Sequence, residues 1–213
     1  NLVFEPNRAF VQRELYDDKQ LHLEVAKIKF DFMNNAQALL HGDLHTGSIF
    51  VREDSTRVFD PEFAFFGPIG YDVGNVIANL IFAWDNGQAA GNHAFCDWVL
   101  KTIAEVIDLF KQKFLKAFDE LATDPMASVE GFKEQYLDSV LSDTAAFTGT
   151  ELNRRTVGMA QVKDVTTIAD PVKRAYAERL NILCAKDCIM NRKQFKQGSD
   201  YVSAMMRAAK AAG

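Results

Sequence analysis

The chain has 213 residues, of which 48% are hydrophobic and 25% are charged, which is enough apolar sequence for one globular domain with its own core. Its formal net charge is −5 at pH 7, whereas binding to nucleic acid or to an anionic membrane needs a dense cationic surface. No apolar run approaches the ~20 residues that span a bilayer, and residues 1–20 lack the pattern of a signal peptide. We therefore expect a cytoplasmic protein that binds neither nucleic acid nor membranes.

The first predicted elements are a helix and a hairpin. Apolar residues at helical spacing predict a helix over residues 21–38, followed by a Gly- and His-rich loop. The β-branched and aromatic runs 49–51 and 57–59 then predict a small β-hairpin across the charged turn 52–56. Pro61 ends this hairpin because proline cannot donate a further ladder hydrogen bond.

The rest of the chain has a helical pattern. An apolar helix is predicted from about Tyr71 to Trp84, where we interpret Trp84 as a partly buried anchor before a turn, with a substrate lid as the alternative. About five further helices are predicted after residue 93, with breaks near Asp124-Pro125, Gly149 and Asp170-Pro171. The sequence therefore predicts a mainly α fold with a small β-hairpin.

The three cysteines give no sign of a functional site. Cys96, Cys184 and Cys188 include no CxxC pair, so the sequence predicts neither a disulfide framework nor a zinc site. Cys184 and Cys188 lie one helical turn apart among apolar residues. We interpret them as buried packing residues.

Three carboxylates flank the predicted hairpin. Asp43 precedes its first strand, and Asp60 and Glu62 follow its second strand, so the hairpin should bring them to one side of the structure. Converging carboxylates repel one another unless a cation holds them, and Mg²⁺ prefers oxygen ligands shared with substrate phosphates. In phosphoryl transfer, one carboxylate orients the attacking hydroxyl while others hold the metal ion. The pattern therefore predicts Asp43 for the first task and Asp60 with Glu62 for the second, with a solvated turn as the alternative.

The motifs around these residues resemble those of a known family. His41-Gly42-Asp43, with Ser48 five residues and Asp60 seventeen residues after the aspartate, resembles the catalytic loop and metal segment of the aminoglycoside phosphotransferase and choline kinase group. Within that group, HGDLHTGSIFV and DPEFAFFGPIGYDVGN are similar to the corresponding segments of methylthioribose kinases. The similarity is specific over about residues 41–84 and looser beyond them.

The resemblance implies a domain organisation. Residues 1–213 would form a protein-kinase-like C-terminal lobe, with a catalytic core at 37–84 and a helical substrate subdomain at 85–213. The glycine-rich loop and strand lysine of an N-terminal ATP lobe do not occur before His41. We therefore expect the N-terminal ATP lobe to be absent and the isolated chain to bind ATP poorly.

The resemblance also implies an activity. The family would use ATP and Mg²⁺ to phosphorylate the 1-hydroxyl of 5-methylthioribose in methionine salvage, and it would form a homodimer. Asp43 would be the catalytic base, and Asp60 and Glu62 would coordinate the metal ion. Ser48 replaces a metal-ligating Asn of the relatives. His45 either faces the phosphates or is a hydrogen-bonded loop residue, and both Ser48 and His45 are candidate cofactor-binding residues.

Three further residues gain a role from the resemblance. Arg154 and Arg155 resemble paired arginines near the sugar and the transferred phosphate, where a fixed cation stabilises developing charge. Without the resemblance they would be a solvated helix face. Asp72 corresponds to an aspartate that, in kinase relatives, accepts hydrogen bonds from the catalytic-loop backbone, so we expect a structural role for it.

Two alternatives remain open at this level. The chain could phosphorylate another sugar or an amino alcohol, although the arginine pair and the GPIG turn argue against this. It could also be a non-catalytic, pseudokinase-like module that binds a partner through an exposed apolar surface. The retained Asp43, Asp60 and Glu62 argue against the second alternative, because a degenerate site does not need costly converging carboxylates.

Overall fold

The computed structural model describes residues 2–213. The N-terminal part consists of short helical segments, a longer helix and four strands of three residues each. They are a 3-10 turn (Glu5–Asn7), α1 (Arg8–Val11), a π-helical turn (Gln12–Tyr16), α2 (Lys19–Asn34), β1 (Ala38–Leu40), β2 (Ile49–Val51), β3 (Thr56–Val58) and β4 (Phe65–Gly67). A 3-10 turn, Thr46–Ser48, precedes β2.

The rest of the described chain is helical. Its α-helices are α3 (Gly70–Ala90), α4 (His93–Leu121), α5 (Phe132–Val157), α6 (Lys163–Thr166), α7 (Pro171–Met190) and α8 (Gly198–Ala212). Two 3-10 turns, Pro125–Ser128 and Arg192–Gln194, separate neighbouring helices. The predicted mainly α fold with a small β-hairpin is confirmed, and none of the helices in residues 2–213 is both long and apolar enough to cross a membrane.

The strands form two separate antiparallel pairs. β2 pairs with β3, with Ile49 opposite Val58, so the predicted hairpin is confirmed. β1 pairs with β4, with Leu39 opposite Phe66. This second pair was not predicted, because its strands are about 25 residues apart in sequence and only tertiary packing joins them. It brings together both ends of residues 38–67, the loop segment, at the N-terminal end of α3.

The helical body is built around α3, α5 and α7. Its core includes the fully buried side chains of Ile77, Ile81, Leu152 and Leu180, and each such side chain stabilises the fold by roughly 1.5–3 kcal/mol. A second cluster joins the N-terminal helices to α5 and α7 through Val11, Leu15, Leu21, Ile28, Phe147, Ile182 and Ile189. The body is therefore a rigid base for the loop segment.

Several predicted boundaries were wrong. The helix predicted at 21–38 ends at Asn34, since Ala38–Leu40 pairs with β4 instead. The helix predicted to end at Trp84 continues to Ala90, so there is no turn at residues 85–87 to act as a lid. Trp84 is an anchor as predicted, with only 5% of its surface exposed.

Gly149 does not break a helix but lies inside α5. A Cβ at this position would stand 2.5 Å from the carbonyl oxygen of Ala185 on α7. The glycine therefore allows α5 and α7 to approach closely, and helical spacing alone does not distinguish this role from a break. The breaks at Asp124-Pro125 and Asp170-Pro171 are confirmed, since each aspartate caps the helical segment that follows it.

Two further predictions concern the body. Cys96, Cys184 and Cys188 are buried and unpaired, in agreement with a packing role. The division into a core at 37–84 and a subdomain at 85–213 stays a prediction. Because α3 runs through residue 84, any such boundary would cut a continuous helix.

Candidate active site

Asp72 fixes the loop that carries Asp43. It lies in the first turn of α3, where the helix dipole favours a negative charge. Its Oδ2 accepts a hydrogen bond of 2.6 Å from the His41 amide, and its Oδ1 accepts one of 3.1 Å from the Gly42 amide. Asp72 is 8% exposed, so these bonds are shielded from competing water. These contacts agree with the structural role expected for Asp72.

His41 ties the loop to the end of the hairpin. Its Nε2 lies 2.8 Å from the carbonyl oxygen of Phe59, and its Nδ1 lies 3.4 Å from the Asp43 amide nitrogen. Since the carbonyl can only accept and the amide can only donate, the neutral tautomer with the proton on Nε2 satisfies both contacts. His41 is thus positioned to orient the loop, and its contact with Phe59 brings the residue before Asp60 beside the start of the loop.

The backbone conformation at residue 42 requires glycine. Gly42 has φ 86°, which is left-handed, and a Cβ there would stand 2.1 Å from the carbonyl oxygen of Phe63. The loop and the segment after Asp60 therefore approach each other closely at this point. Any other residue would push them apart.

His45 and Ser48 form a small network beside Asp43. The Gly47 amide donates to His45 Nδ1 at 3.0 Å, which leaves the proton of the neutral ring on Nε2. That nitrogen lies 3.3 Å from Ser48 Oγ and 3.9 Å from Asp43 Oδ2. Ser48 is 3% exposed, so its hydroxyl positions His45 in this arrangement. The proposed cofactor-binding role of either residue stays a prediction.

The paired arginines reach the loop from α5. Arg155 Nη2 lies 3.5 Å from Asp43 Oδ1, although the two residues are 112 positions apart in the chain. Adjacent residues on a helix point about 100° apart, yet both guanidinium groups are held together. The residue that holds them is Glu151, which the sequence analysis missed.

Glu151 is a buried carboxylate between the two arginines. It accepts hydrogen bonds of 2.6 and 3.0 Å from Arg154 and one of 2.8 Å from Arg155, and it is 4% exposed. Burial opposes the charge of Arg154, but the hydrogen bonds and charge of Glu151 prevail and raise the pKa of Arg154 above its ordinary value. The signal was present in the spacing, since Glu151 lies three and four residues before the arginines. One carboxylate against two guanidiniums leaves a positive charge facing Asp43.

These residues enclose a cavity of about 430 Å³. Gly42 and Asp43 from the loop, Phe65 from β4, and both arginines from α5 contribute to its walls. Tyr71 closes another side, and burial raises the pKa of its hydroxyl, so it stays a neutral hydrogen-bonding group. The cavity thus joins a carboxylate, two cations and aromatic walls at one place.

Asp60 and Glu62 lie outside this cavity's walls. Both are exposed, and neither carboxylate has a hydrogen-bond or ion-pair partner among residues 2–213. Within that range, no set of three or more acidic, His or Cys side chains is arranged to hold a metal ion, and the metal-binding role of Asp60 and Glu62 stays a prediction. Two free carboxylates nevertheless suit Mg²⁺, which commonly takes one or two from the protein and the rest from phosphates and water.

The backbone at Asp60 is also unusual. Its φ is 69°, which makes it the one non-glycine residue with positive φ in residues 2–213. Aspartate tolerates this conformation better than most residues, but it still costs free energy, and such residues cluster at functional sites. The strain supports a specific task for the Asp60 side chain.

Comparison with known proteins agrees with this geometry. Residues 5–104 match the phosphotransferase enzyme family (APH). The matched range includes the whole loop segment and α3. The class of protein expected from the HGD and DPE motifs is thus supported by a family match that extends on both sides of them.

The individual relatives narrow the similarity to one kind of kinase. Methylthioribose kinase 1 of Oryza sativa subsp. japonica is 41% identical over 209 residues, which covers 91% of this chain and 48% of the relative. The methylthioribose kinases of Bacillus pumilus and Escherichia coli are 33% and 37% identical, over 97% and 80% of this chain and 51% and 44% of their own lengths. The expected resemblance to methylthioribose kinases is confirmed, and the chain spans about half the length of the curated relatives it matches.

Proposed function

We propose that this chain is the catalytic part of an ATP-dependent kinase that phosphorylates the 1-hydroxyl of 5-methylthioribose, a step of methionine salvage. The observation that supports it best is the contact of 3.5 Å between Asp43 and Arg155 in one cavity. A carboxylate that accepts a proton next to a fixed cation is what phosphoryl transfer to a hydroxyl requires.

In this proposal Asp43 accepts the proton of the attacking hydroxyl. Asp72 and His41 hold the loop, so that Asp43 keeps one orientation when the substrate enters. Arg155, and Arg154 beside it, stabilise the negative charge on the phosphoryl oxygens, while Glu151 keeps both guanidiniums from moving apart.

Asp60 and Glu62 are the proposed metal ligands. Bound Mg²⁺ would neutralise charge on the nucleotide phosphates. Since both carboxylates lack a protein partner among residues 2–213, they are available for this without breaking an existing bond. Ser48 and His45 are proposed to position the loop on the side of the nucleotide.

Substitution of Asp43 tests the proposal. We expect Asp43→Asn to reduce transfer of labelled γ-phosphate from MgATP to 5-methylthioribose by at least about a thousandfold, with MgATP affinity within about threefold. The assay compares the chain alone with a chimera in which it replaces the matching half of the rice relative. Asp97→Asn, the same change at an exposed site on α4, is the matched control.

The outcomes separate the competing hypotheses. Turnover by Asp43→Asn within about tenfold of the parent would show that Asp43 is not the base. Transfer to another sugar or to an amino alcohol in preference to 5-methylthioribose would retain the kinase and correct its substrate. A chimera that binds the relative's other half but transfers phosphate to none of these acceptors would favour the non-catalytic binding module.

A further inference from the structure

A second cavity lies between α3 and α7, far from the candidate active site. Its volume is about 290 Å³. Asp85, at this cavity, follows Asp72 by thirteen residues on the same helix, which places it about 20 Å further along the axis at 1.5 Å per residue. Its walls include Trp84, Asp85, Ala89, Val172, Lys173 and Tyr176.

Several buried polar atoms at and beside this cavity lack hydrogen-bond partners within the described chain. Asp85 is 2% exposed and its Oδ2 has no hydrogen-bond partner among residues 2–213, and the same holds for Nε1 of Trp84. Asn181, fully buried one helical turn after Ala177, forms no hydrogen bond of acceptable geometry with the described residues at either amide atom, although it lies close enough to Asp85 to lower the pKa of that carboxyl. Buried polar atoms are almost always hydrogen-bonded, and four unpaired atoms on adjoining residues indicate a missing ligand.

No neighbouring group in the described part of the chain would neutralise a negative charge on the Asp85 carboxyl. Burial raises the pKa of Asp85 well above its ordinary range, the nearby Asn181 opposes this only in part, and the charge of Asp164 raises it further. Lys173 is the cation at the cavity, and its Nζ donates a hydrogen bond of 2.6 Å to the Ala89 carbonyl oxygen. No cation in residues 2–213 forms an ion pair with Asp85, and burial, by raising the pKa of its carboxyl, favours the protonated form.

We propose that this cavity binds a small primary amine with an apolar body, whose ammonium group donates hydrogen bonds to Asp85 and Asn181. An ammonium offers three donors, which satisfies the two unpaired acceptors. The aromatic side chains of Trp84 and Tyr176 supply apolar contact, and their faces attract a cation. On binding, the Asp85 carboxyl releases its proton to solvent and the resulting carboxylate pairs with the ammonium.

Benzylamine and its neutral isostere benzyl alcohol test this site. The variant Trp98→Phe leaves Trp84 as the one tryptophan, because the chain has two, and its fluorescence reports occupancy. We expect the 213-residue chain to bind benzylamine at least about tenfold more tightly than benzyl alcohol. Calorimetry at pH 7 in two buffers of different ionisation enthalpy should detect release of about one proton per amine bound.

Two variants separate the site from a general apolar surface. Asp85→Asn, which keeps the shape, should remove the preference for the amine and the proton release while binding of benzyl alcohol stays within about twofold. Ala89→Phe should fill the cavity and abolish binding of both probes, and it decides the case if Asp85→Asn fails to fold. Equal affinities for the two probes, no binding of either, or unchanged binding by Ala89→Phe would overturn the proposal, and ordered water would then account for the unpaired atoms.

Discussion

The loop segment, residues 38–67, and the helical body are held by different forces. In the segment, Phe50, Phe63 and Phe66 are more than half exposed. The loop depends instead on directed hydrogen bonds, which its backbone amides donate to Asp72 and the His41 ring forms with the Phe59 carbonyl. In the body, large apolar side chains are fully buried and helices contact each other closely. A substitution in the segment should therefore change reactivity more than stability, and one in the body should do the reverse.

Among the residues that support the segment from outside, Asp72, at the start of α3, should have the largest effect on turnover when it is changed to Asn. The amide oxygen can accept only one of the two loop N–H bonds, and its NH₂ group would face the other donor. We expect turnover of the chimera to fall about a hundredfold, or about 2.7 kcal/mol of barrier, with the midpoint of thermal unfolding lowered by only a few degrees. An unchanged rate would mean that the loop does not need this anchor.

Glu151→Gln tests a link between the two regions. Loss of the buried charge should release the guanidiniums of Arg154 and Arg155, so we expect about tenfold slower turnover together with lower stability. Glu178→Gln is the matched control, because Glu178 is equally buried and pairs with Arg174 on α7, away from the loop. A similar loss of activity in both variants would assign the effect of Glu151 to stability alone.

Gly149→Ala should damage the body and leave the site intact. The added methyl group would stand 2.5 Å from a backbone oxygen on α7, which cannot move as a side chain can. We expect a loss of about 1–3 kcal/mol in the free energy of unfolding, measured by urea titration, despite the better helix propensity of alanine. Gly87→Ala, which meets the Phe95 and Cys96 side chains, should cost less.

Asp143 should give the smallest effect, and one that depends on pH. Burial raises the pKa of Asp143 to about 6, while Arg192 opposes the shift and Asp31 adds to it. The native state therefore holds this proton more tightly than the unfolded state, so stability from this group is full below about pH 4 and is lost as pH rises through about 6.

Asp143→Asn should remove that component. Between pH 4 and pH 7 we expect the decline in unfolding free energy to shrink by on the order of 1–2 kcal/mol, after allowance for solvent screening. Asp138 lies on the same helix as Asp143 but is an exposed partner of Lys196, so Asp138→Asn should leave the pH profile of stability unchanged. An identical profile in both variants would contradict the raised pKa.

Much of the loop segment was predictable because its information is local. The hairpin follows from two β-branched runs around a charged turn, and the resemblance of GYDVGN to kinase relatives predicted Asp72 as the anchor of the loop. Phe63 and Phe66 show where local information ends, since aromatic side chains are mostly buried in folded proteins but both of these are exposed.

Sequence by itself determined the helical class, the hairpin and the residue types of the candidate site, because periodicity, turn chemistry and motif spacing act within short stretches of chain. Only the tertiary structure decided that β1 pairs with β4, that Gly149 allows two helices to approach and that Arg155 lies beside Asp43. Each of these depends on contacts between segments far apart in sequence or on what surrounds a side chain. Such contacts are chosen by the packing of the whole domain, since no local pattern encodes which distant surface will be adjacent.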